Sequence, residues 1–484
     1  MTEVARRVHT VVVIGAGPVG LAAASHLHER GITPVVIETG AHAGAAIAAW
    51  GHIRLFSPWR FNTDAAARRL LDATGWTPPH PEHLPTGNEL VEQYLRPLAE
   101  QTTLSDHIRY RTTVVAISRD HLDKTRSTRR ETRPYLVRTR RDDGEYLDVV
   151  ADAVIDASGT WGHSNPLGAH GLPAPGEAES RDYISDPLPD VLGAQRQRFA
   201  GRRTLVVGTG HSAANTLLLL AELSEDAPDT RVTWAIRDQS AARAYGGGDA
   251  DALPARGALG TRLKALVASG RIELVRGLTI ERMTPSGTTV TLSGRQGDEP
   301  VELDVHTVVP ATGFRPDLNI LREVRLNLDP IVETPVRLGP LVDPNHHSCG
   351  TVPPHGEREL AHPDDGFYIV GMKSYGRAPT FLMATGFEQV RSIAAALAGD
   401  RAAADEVRLE LPETGVCSSQ AVTEDAGGNV VFAQNSSCCG DPAEKVPASQ
   451  GLATGLAHGY SGGSQLLPVT TAPAAGCCGA TVTS

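Results

Sequence analysis

Two glycine clusters carry the most legible chemistry in this chain. One reads Gly15-x-Gly17-x-x-Gly20 and the other Gly208-x-Gly210-x-x-Ala213. Each comes after a short apolar run and opens a helical pattern, the context in which such a loop cradles a pyrophosphate. Gly15 permits a tight turn, Gly17 lets the backbone approach the phosphates, and Gly20 lets the helix pack close to the strand. The helix N-terminus adds its unpaired N–H groups and positive dipole end. Ala213 is a known variant of the third glycine, and Ser212 beside it opens the second helix.

The two loops lead into strands that end in opposite charges. After the first, Glu38 ends the next strand, where a carboxylate accepts hydrogen bonds from a ribose. After the second, the corresponding residue is Arg237, which could clamp a 2′-phosphate and so favours NADPH over NADH. The two loops therefore predict two different dinucleotides, FAD at the first and NADPH at the second. The protein would supply position and electrostatics, and the flavin the redox chemistry.

The elements that must hold these loops are equally readable. "VVVIGAGPVGLAAASHLHERGITPVVIE" is a βαβ unit with strand Val11–Ile14, a helix ended by Gly31, and a second strand "PVVIE". "TLVVGTGHSAANTLLLLAEL" through "RVTWAIRD" repeats the pattern. Residues 109–150 alternate like antiparallel strands, and the basic insert "RDHLDKTRSTRRETR" within them reads as a solvated hairpin tip. Further strand-like pieces fall at 272–275, 288–292, 305–310 and 367–372, and a helix at 387–399. These elements predict an α/β fold with two Rossmann-like domains. An FAD domain takes residues 1–160 and 300–405, an inserted NADPH domain takes 161–299, and a flexible tail takes 406–484.

Composition bounds the partners. The 484 residues carry a net charge of −11, which argues against nucleic acid and anionic membrane surfaces. No apolar stretch reaches the ~20 residues of a membrane span. Cysteine is scarce, with six in all, so a reduced cytoplasm is the default and a disulfide scaffold is excluded. A homodimer stays open.

With both loops, "VIDASGTWG" at 154–162 and "VVPATGFRPD" at 308–317 in view, residues 8–400 resemble the two-dinucleotide-binding flavoproteins. In that family Ala311-Thr312-Gly313 would end a strand and pass close to the cofactor, and Gly371 would belong to the last FAD segment. Trp50, in "AAWGHIRLFSPW", is a candidate for the flavin pocket, and it, Trp59 and Trp76 line either that pocket or its core. That segment, with no C-x-x-C near the flavin, looks more like flavin monooxygenases than disulfide reductases. The chain also departs from both subgroups. The F-x-G-x-x-x-H signature of monooxygenases is missing, and Gly371-Met372 stands where reductases have Gly-Asp. The arrangement as a whole, tail included, resembles actinobacterial flavoproteins associated with arsenic-resistance gene clusters.

The tail holds adjacent cysteine pairs at Cys438–Cys439 and Cys477–Cys478, with Cys417 upstream. Adjacent thiols strain a mutual disulfide but can share one large soft centre. They are therefore candidate ligands for a metalloid. His346, His347 and Cys349 form a lesser candidate cluster. The favoured expectation is an NADPH-dependent FAD monooxygenase that uses molecular oxygen on a soft nucleophile such as a trivalent arsenical. A flavoprotein reductase of a disulfide or quinone, and a non-enzymatic metalloid-binding or sensing protein, stand as alternatives. No side chain is singled out as a catalytic acid or base.

Overall fold

A computed structural model describes residues 8–246, 254–343, 352–378, 381–409, 422–424 and 430–432. The strands in chain order are β1 (Thr10–Ile14), β2 (Thr33–Ile37), β3 (Ile108–Arg109), β4 (Thr112–Arg119), β5 (Tyr135–Arg141), β6 (Tyr146–Ala151), β7 (Ala153–Asp156), β8 (Arg203–Val207), β9 (Arg231–Ala235), β10 (Glu273–Val275), β11 (Leu278–Ser286), β12 (Thr289–Gln296), β13 (Glu299–Val305), β14 (Thr307–Pro310) and β15 (Phe367–Ile369).

Two parallel sheets organise them. The first runs β15-β7-β1-β2-β3 and the second β10-β9-β8-β14. The apolar strands explain the parallel order. Val11, Val12 and Val13 are fully buried, so both faces of β1 must be covered. Helix Pro18–Glu29 covers one face, with Val19 through Leu27 buried without a break. Its proline suits the first turn, and Gly31, at φ +70°, lets the chain leave for β2. Helix His211–Asp226 does the same work in the second sheet with Leu217, Leu220 and Leu223.

In both sheets the strand order reverses beside the strand that precedes a glycine loop. β1 lies between β2 and β7, and β8 lies between β9 and β14. The crevice at such a reversal is where open α/β sheets bind ligands.

Two antiparallel sheets, β4-β5-β6 and β11-β12-β13, flank the parallel ones. The second is only partly anticipated, by the sequence piece at 288–292 on β12, whereas the piece at 305–310 falls on β14. Its hairpins turn at Gly287 and Gly297, both left-handed, with φ +62°. β14 follows this antiparallel sheet in the chain and pairs in parallel with β8 in the second parallel sheet. The pairing joins residues about a hundred positions apart, so local periodicity does not reveal it.

The basic insert after β4 is a largely exposed hairpin tip, as expected, but it carries one buried anchor. Arg130 is 4% exposed and grips Asp364 through two bonds of 2.6 and 2.8 Å. Arg119 lies over the Tyr135 ring at 3.7 Å and donates to the Asp365 carbonyl at 2.7 Å. Burial pushes the Asp364 carboxyl up, but the Arg130 hydrogen bonds and the Arg325 N–H outweigh it and hold the group below its usual range. The insert is thereby fastened to the 364–365 turn.

Beside it, His362 is buried. Its Nδ1 accepts the Asn327 N–H at 3.3 Å, and its Nε2 has no partner among the described residues. Burial lowers its pKa to about 4, and Asp364 opposes the shift. The folded state keeps this ring neutral, whereas the unfolded chain protonates it below about pH 6.5. Its contribution to stability is therefore full above about pH 6.5 and declines as pH falls toward 4. We expect a loss of about 3 kcal/mol across that window from this group. Urea midpoints measured at neutral and acidic pH should show it, and His362→Gln should flatten the acid limb.

Among the described residues, no helix is long and apolar enough to cross a membrane. Part of the segment expected to lack regular structure does form a ladder, with Val422–Glu424 pairing antiparallel with Val430–Phe432. Both runs contain β-branched valine, and they flank the turn-rich sequence "DAGGN". The candidate ligands Cys417, Cys438, Cys439, Cys477 and Cys478, together with His346, His347 and Cys349, lie outside the described residues.

Candidate functional site

The two glycine loops are built to one plan. Gly15 N–H donates to the Ile37 carbonyl at 2.8 Å, and Gly208 N–H donates to the Ala235 carbonyl at 3.1 Å. Each loop is thus hung from the end of the neighbouring strand. Gly15 has φ +97° and Gly208 φ +130°, conformations that favour glycine. A crossing peptide passes close to each. A Cβ at Gly15 would lie 2.8 Å from the Ala157 oxygen, and one at Gly208 would lie 2.0 Å from the Ala311 oxygen. Gly20 touches Gly15 so closely that a Cβ would sit 1.9 Å from its carbonyl oxygen.

The middle glycines behave differently. A Cβ at Gly17 or at Gly210 would meet nothing within 4 Å. Each also sits at the start of a helix that has no side-chain cap. The protein leaves open at these two positions the space that a pyrophosphate needs, with helix N–H donors facing it. The residues present therefore fit dinucleotides at both loops.

The two strand ends differ in how their charged groups are held. Glu38 accepts the Ala16 N–H at 2.7 Å and the Gly40 N–H at 2.6 Å, which fixes its carboxylate at the mouth of the first loop. Arg237 is exposed just after β9 and has no hydrogen-bond or ion-pair partner among the described residues. Ser212 and Ala213 occupy the first turn of helix His211–Asp226, with Ala213 buried against the sheet.

The chain crosses between the two modules twice, and each crossing begins against the first glycine of a loop. The outgoing one starts with Ala157-Ser158-Gly159 and the returning one with Ala311-Thr312-Gly313. They pair with each other. Asn165 N–H donates to the Gly313 carbonyl at 2.9 Å, its side-chain amide to the Thr312 carbonyl at 3.1 Å, and Thr312 Oγ1 to the Asn165 carbonyl at 2.6 Å. Arg315 N–H extends the ladder to the His163 carbonyl at 3.0 Å. Trp161 on the outgoing crossing lies 5.3 Å from Phe314 on the return and 6.4 Å from Trp50. Trp50 thus stands at the crossings. Trp59 is buried in the first core, and Trp76 packs on its edge against Tyr94.

Gly371 comes just after β15 at φ +66°, and its N–H donates to Gln389 Oε1 at 2.7 Å. The amide nitrogen of Gln389 reaches His355 Nε2 at 2.9 Å and Ser374 Oγ at 3.0 Å. With Nε2 accepting, His355 donates through Nδ1 to the Pro353 carbonyl at 3.0 Å, and burial lowers its pKa, so the ring is neutral. The turn Gly371–Tyr375 is pinned from the other side by Lys373. Its Nζ lies 2.7 Å from Asp156 Oδ2 and 3.0 Å from Ser158 Oγ, with both charged groups buried. Sequence reasoning named Gly371 and the segment 154–162, but gave no role to Asp156, Ser158, Lys373, Gln389 or Trp234, which donates to the Gly208 carbonyl at 2.7 Å. Their partners are distant in sequence, and no local signal marks them.

Known proteins share this design. A family profile for pyridine nucleotide-disulphide oxidoreductases matches residues 12–336, well over half of the chain and spanning both glycine loops. The chain belongs to that family. It is an oxidoreductase, which sets aside the non-enzymatic alternative. Bacillithiol disulfide reductase from Bacillus cereus is similar in fold, with a TM-score of 0.61 at 20% identity, covering 81% of this chain and 99% of that one. Ornithine hydroxylase from Pseudomonas aeruginosa superposes with a TM-score of 0.54 at 16% identity, covering 81% and 99%. Thioredoxin reductase from T. acidophilum gives 0.50 at 15% identity, covering 81% and 97%. None of the curated proteins matches the sequence. The likenesses establish the fold. They include reductases and a hydroxylase alike, so the choice of acceptor has to come from this chain's own residues.

Proposed function

We propose that this chain is an NADPH-dependent FAD oxidoreductase. Gly15, Gly17, Gly20 and Glu38 hold FAD, with Trp50, Thr312, Gly313 and Gly371 around it. Gly208, Gly210, Ser212, Ala213 and Arg237 hold NADPH. The flavin, when bound, accepts hydride from the nicotinamide and passes the electrons on. The chain's part is to bind both dinucleotides, orient them and exclude water. One observation carries this reading: a fixed carboxylate, Glu38, ends the strand after one loop and an exposed guanidinium, Arg237, ends the strand after the other. A carboxylate suits ribose hydroxyls and repels a 2′-phosphate, whereas a guanidinium attracts one.

Arg237→Ala should weaken NADPH binding about 10- to 100-fold, the size of one charged hydrogen-bonded contact. NADH binding should barely change. Isothermal titration with the two nucleotides distinguishes these outcomes, and equal weakening of both would remove Arg237 from phosphate recognition.

For the acceptor, we infer transfer of an oxygen atom to a soft nucleophile of the trivalent arsenical class. The support is chemical: adjacent thiols at Cys438–Cys439 and Cys477–Cys478, with Cys417, suit a soft thiophilic centre. A second reading, reduction of a disulfide or quinone, draws on the family match. Flavin reduction by NADPH and by NADH without oxygen, followed by oxygen with and without arsenite, separates the two. Oxygen uptake that matches arsenite oxidation supports oxygen transfer. No effect of arsenite on rate or product, with anaerobic turnover on a disulfide, would replace it by the reductase.

A further inference from the structure

One short segment of the first module reaches the second at three points. Trp50 approaches Trp161 at 6.4 Å. His52 lies within reach of the Pro189 backbone, with its Nε2 buried. Phe56 lies 5.1 Å from the ring of His211, the first residue of the helix that begins after Gly210, and packs on the core of the second module.

The segment is rigidly held in its own module. Leu55 N–H donates to the Pro85 carbonyl at 2.8 Å and Trp59 N–H to the His83 carbonyl at 3.0 Å. The side-chain amide of Asn62, 1% exposed, spans the carbonyls of Ser57 at 2.7 Å and Pro58 at 3.1 Å. Phe56 is therefore carried by the first module while its ring braces the second module's glycine loop.

We propose that Phe56 is a positioning residue for the nicotinamide dinucleotide, acting through His211. The ring contact fixes the imidazole beside the uncapped helix N-terminus, where the diphosphate meets the N–H donors. Binding then does not have to order that side chain, and the saved ordering cost appears as affinity. The contact also ties the second loop to the first module, so the nucleotide is held against the side from which the flavin is reached. This inference rests on NADPH binding at the second loop.

The test is NADP⁺ binding to the full-length, FAD-loaded protein, measured by calorimetry. Phe56→Ala should raise the Kd by up to about tenfold, the ordering cost of one side chain that binding must then meet. Flavin content should stay near wild type, and Phe56→Tyr, which keeps the ring and its packing, should restore affinity. His211→Ala should weaken binding similarly, and the double variant should lose no more than the larger single loss, because both act through one contact. Wild-type affinity in Phe56→Ala, or additive losses, would overturn the proposal. Failure of the wild-type protein to bind NADP⁺ would instead overturn the functional reading beneath it.

Discussion

Lys373→Met is expected to destabilise the protein by about 3–5 kcal/mol, the cost of leaving one partner of a buried ion pair uncompensated. Asp156 is fully buried, and its two oxygens accept from Lys373 Nζ at 2.7 Å and from Ser158 Oγ at 2.6 Å. Without the ammonium a carboxylate remains in a site that water does not reach. The pair also joins the outgoing crossing to the turn Gly371–Tyr375, two segments that flank the first glycine loop. Flavin retention should therefore fall with stability. Urea denaturation measures the first and the ratio of flavin to protein absorbance the second. The double variant Lys373→Met with Asp156→Leu should recover much of the loss, because two apolar groups avoid the desolvation cost that the ion pair must offset. A single-variant loss below about 1 kcal/mol would mean that another donor meets Asp156.

A matched pair of glycine substitutions separates structure from ligand binding in the second loop. Gly208→Ala should cost roughly 3 kcal/mol, since it strains a left-handed backbone and forces the Ala311 peptide to move. That peptide leads into Thr312, whose hydroxyl and carbonyl are bonded to Asn165 at 2.6 and 3.1 Å, so the displacement spreads into both crossings. Flavin reduction by NADPH should slow by about 100-fold, because a displaced loop holds the nucleotide away from its productive geometry. Reduction of the bound flavin by dithionite should be unaffected. Gly210→Ala should leave the melting temperature alone, because φ is −81° there and a Cβ meets nothing within 4 Å. It should still weaken NADPH binding, since the methyl group takes space meant for phosphate. Equal melting losses in the two variants would contradict this division.

The residues behind these effects differ in how far the sequence reveals them. The glycine loops, Glu38 and Arg237 were legible because strand, turn and helix succeed one another within about thirty residues, and the fingerprint is local in sequence. The buried anchor within the exposed tip at 119–133 was missed for the opposite reason. Arg130 is buried only because Asp364 meets it from 234 positions away. A run of arginines looks the same in either environment. The antiparallel strands β11 and β13 were passed over because each reads locally as mixed polar sequence, and their register is set by pairing with β12.

The order of residues alone is enough to specify the two βαβ units, their glycine turns and the charge that ends each second strand. Those depend on conformational limits of single residues and on short-range periodicity. Folding in three dimensions was needed to establish that Asp156 meets Lys373, that Asn165 ties the two crossings together and that Phe56 of one module rests on His211 of the other. Each of those contacts joins residues more than a hundred positions apart. A polar or aromatic side chain carries no mark of its distant partner until packing brings the two together and removes the water between them.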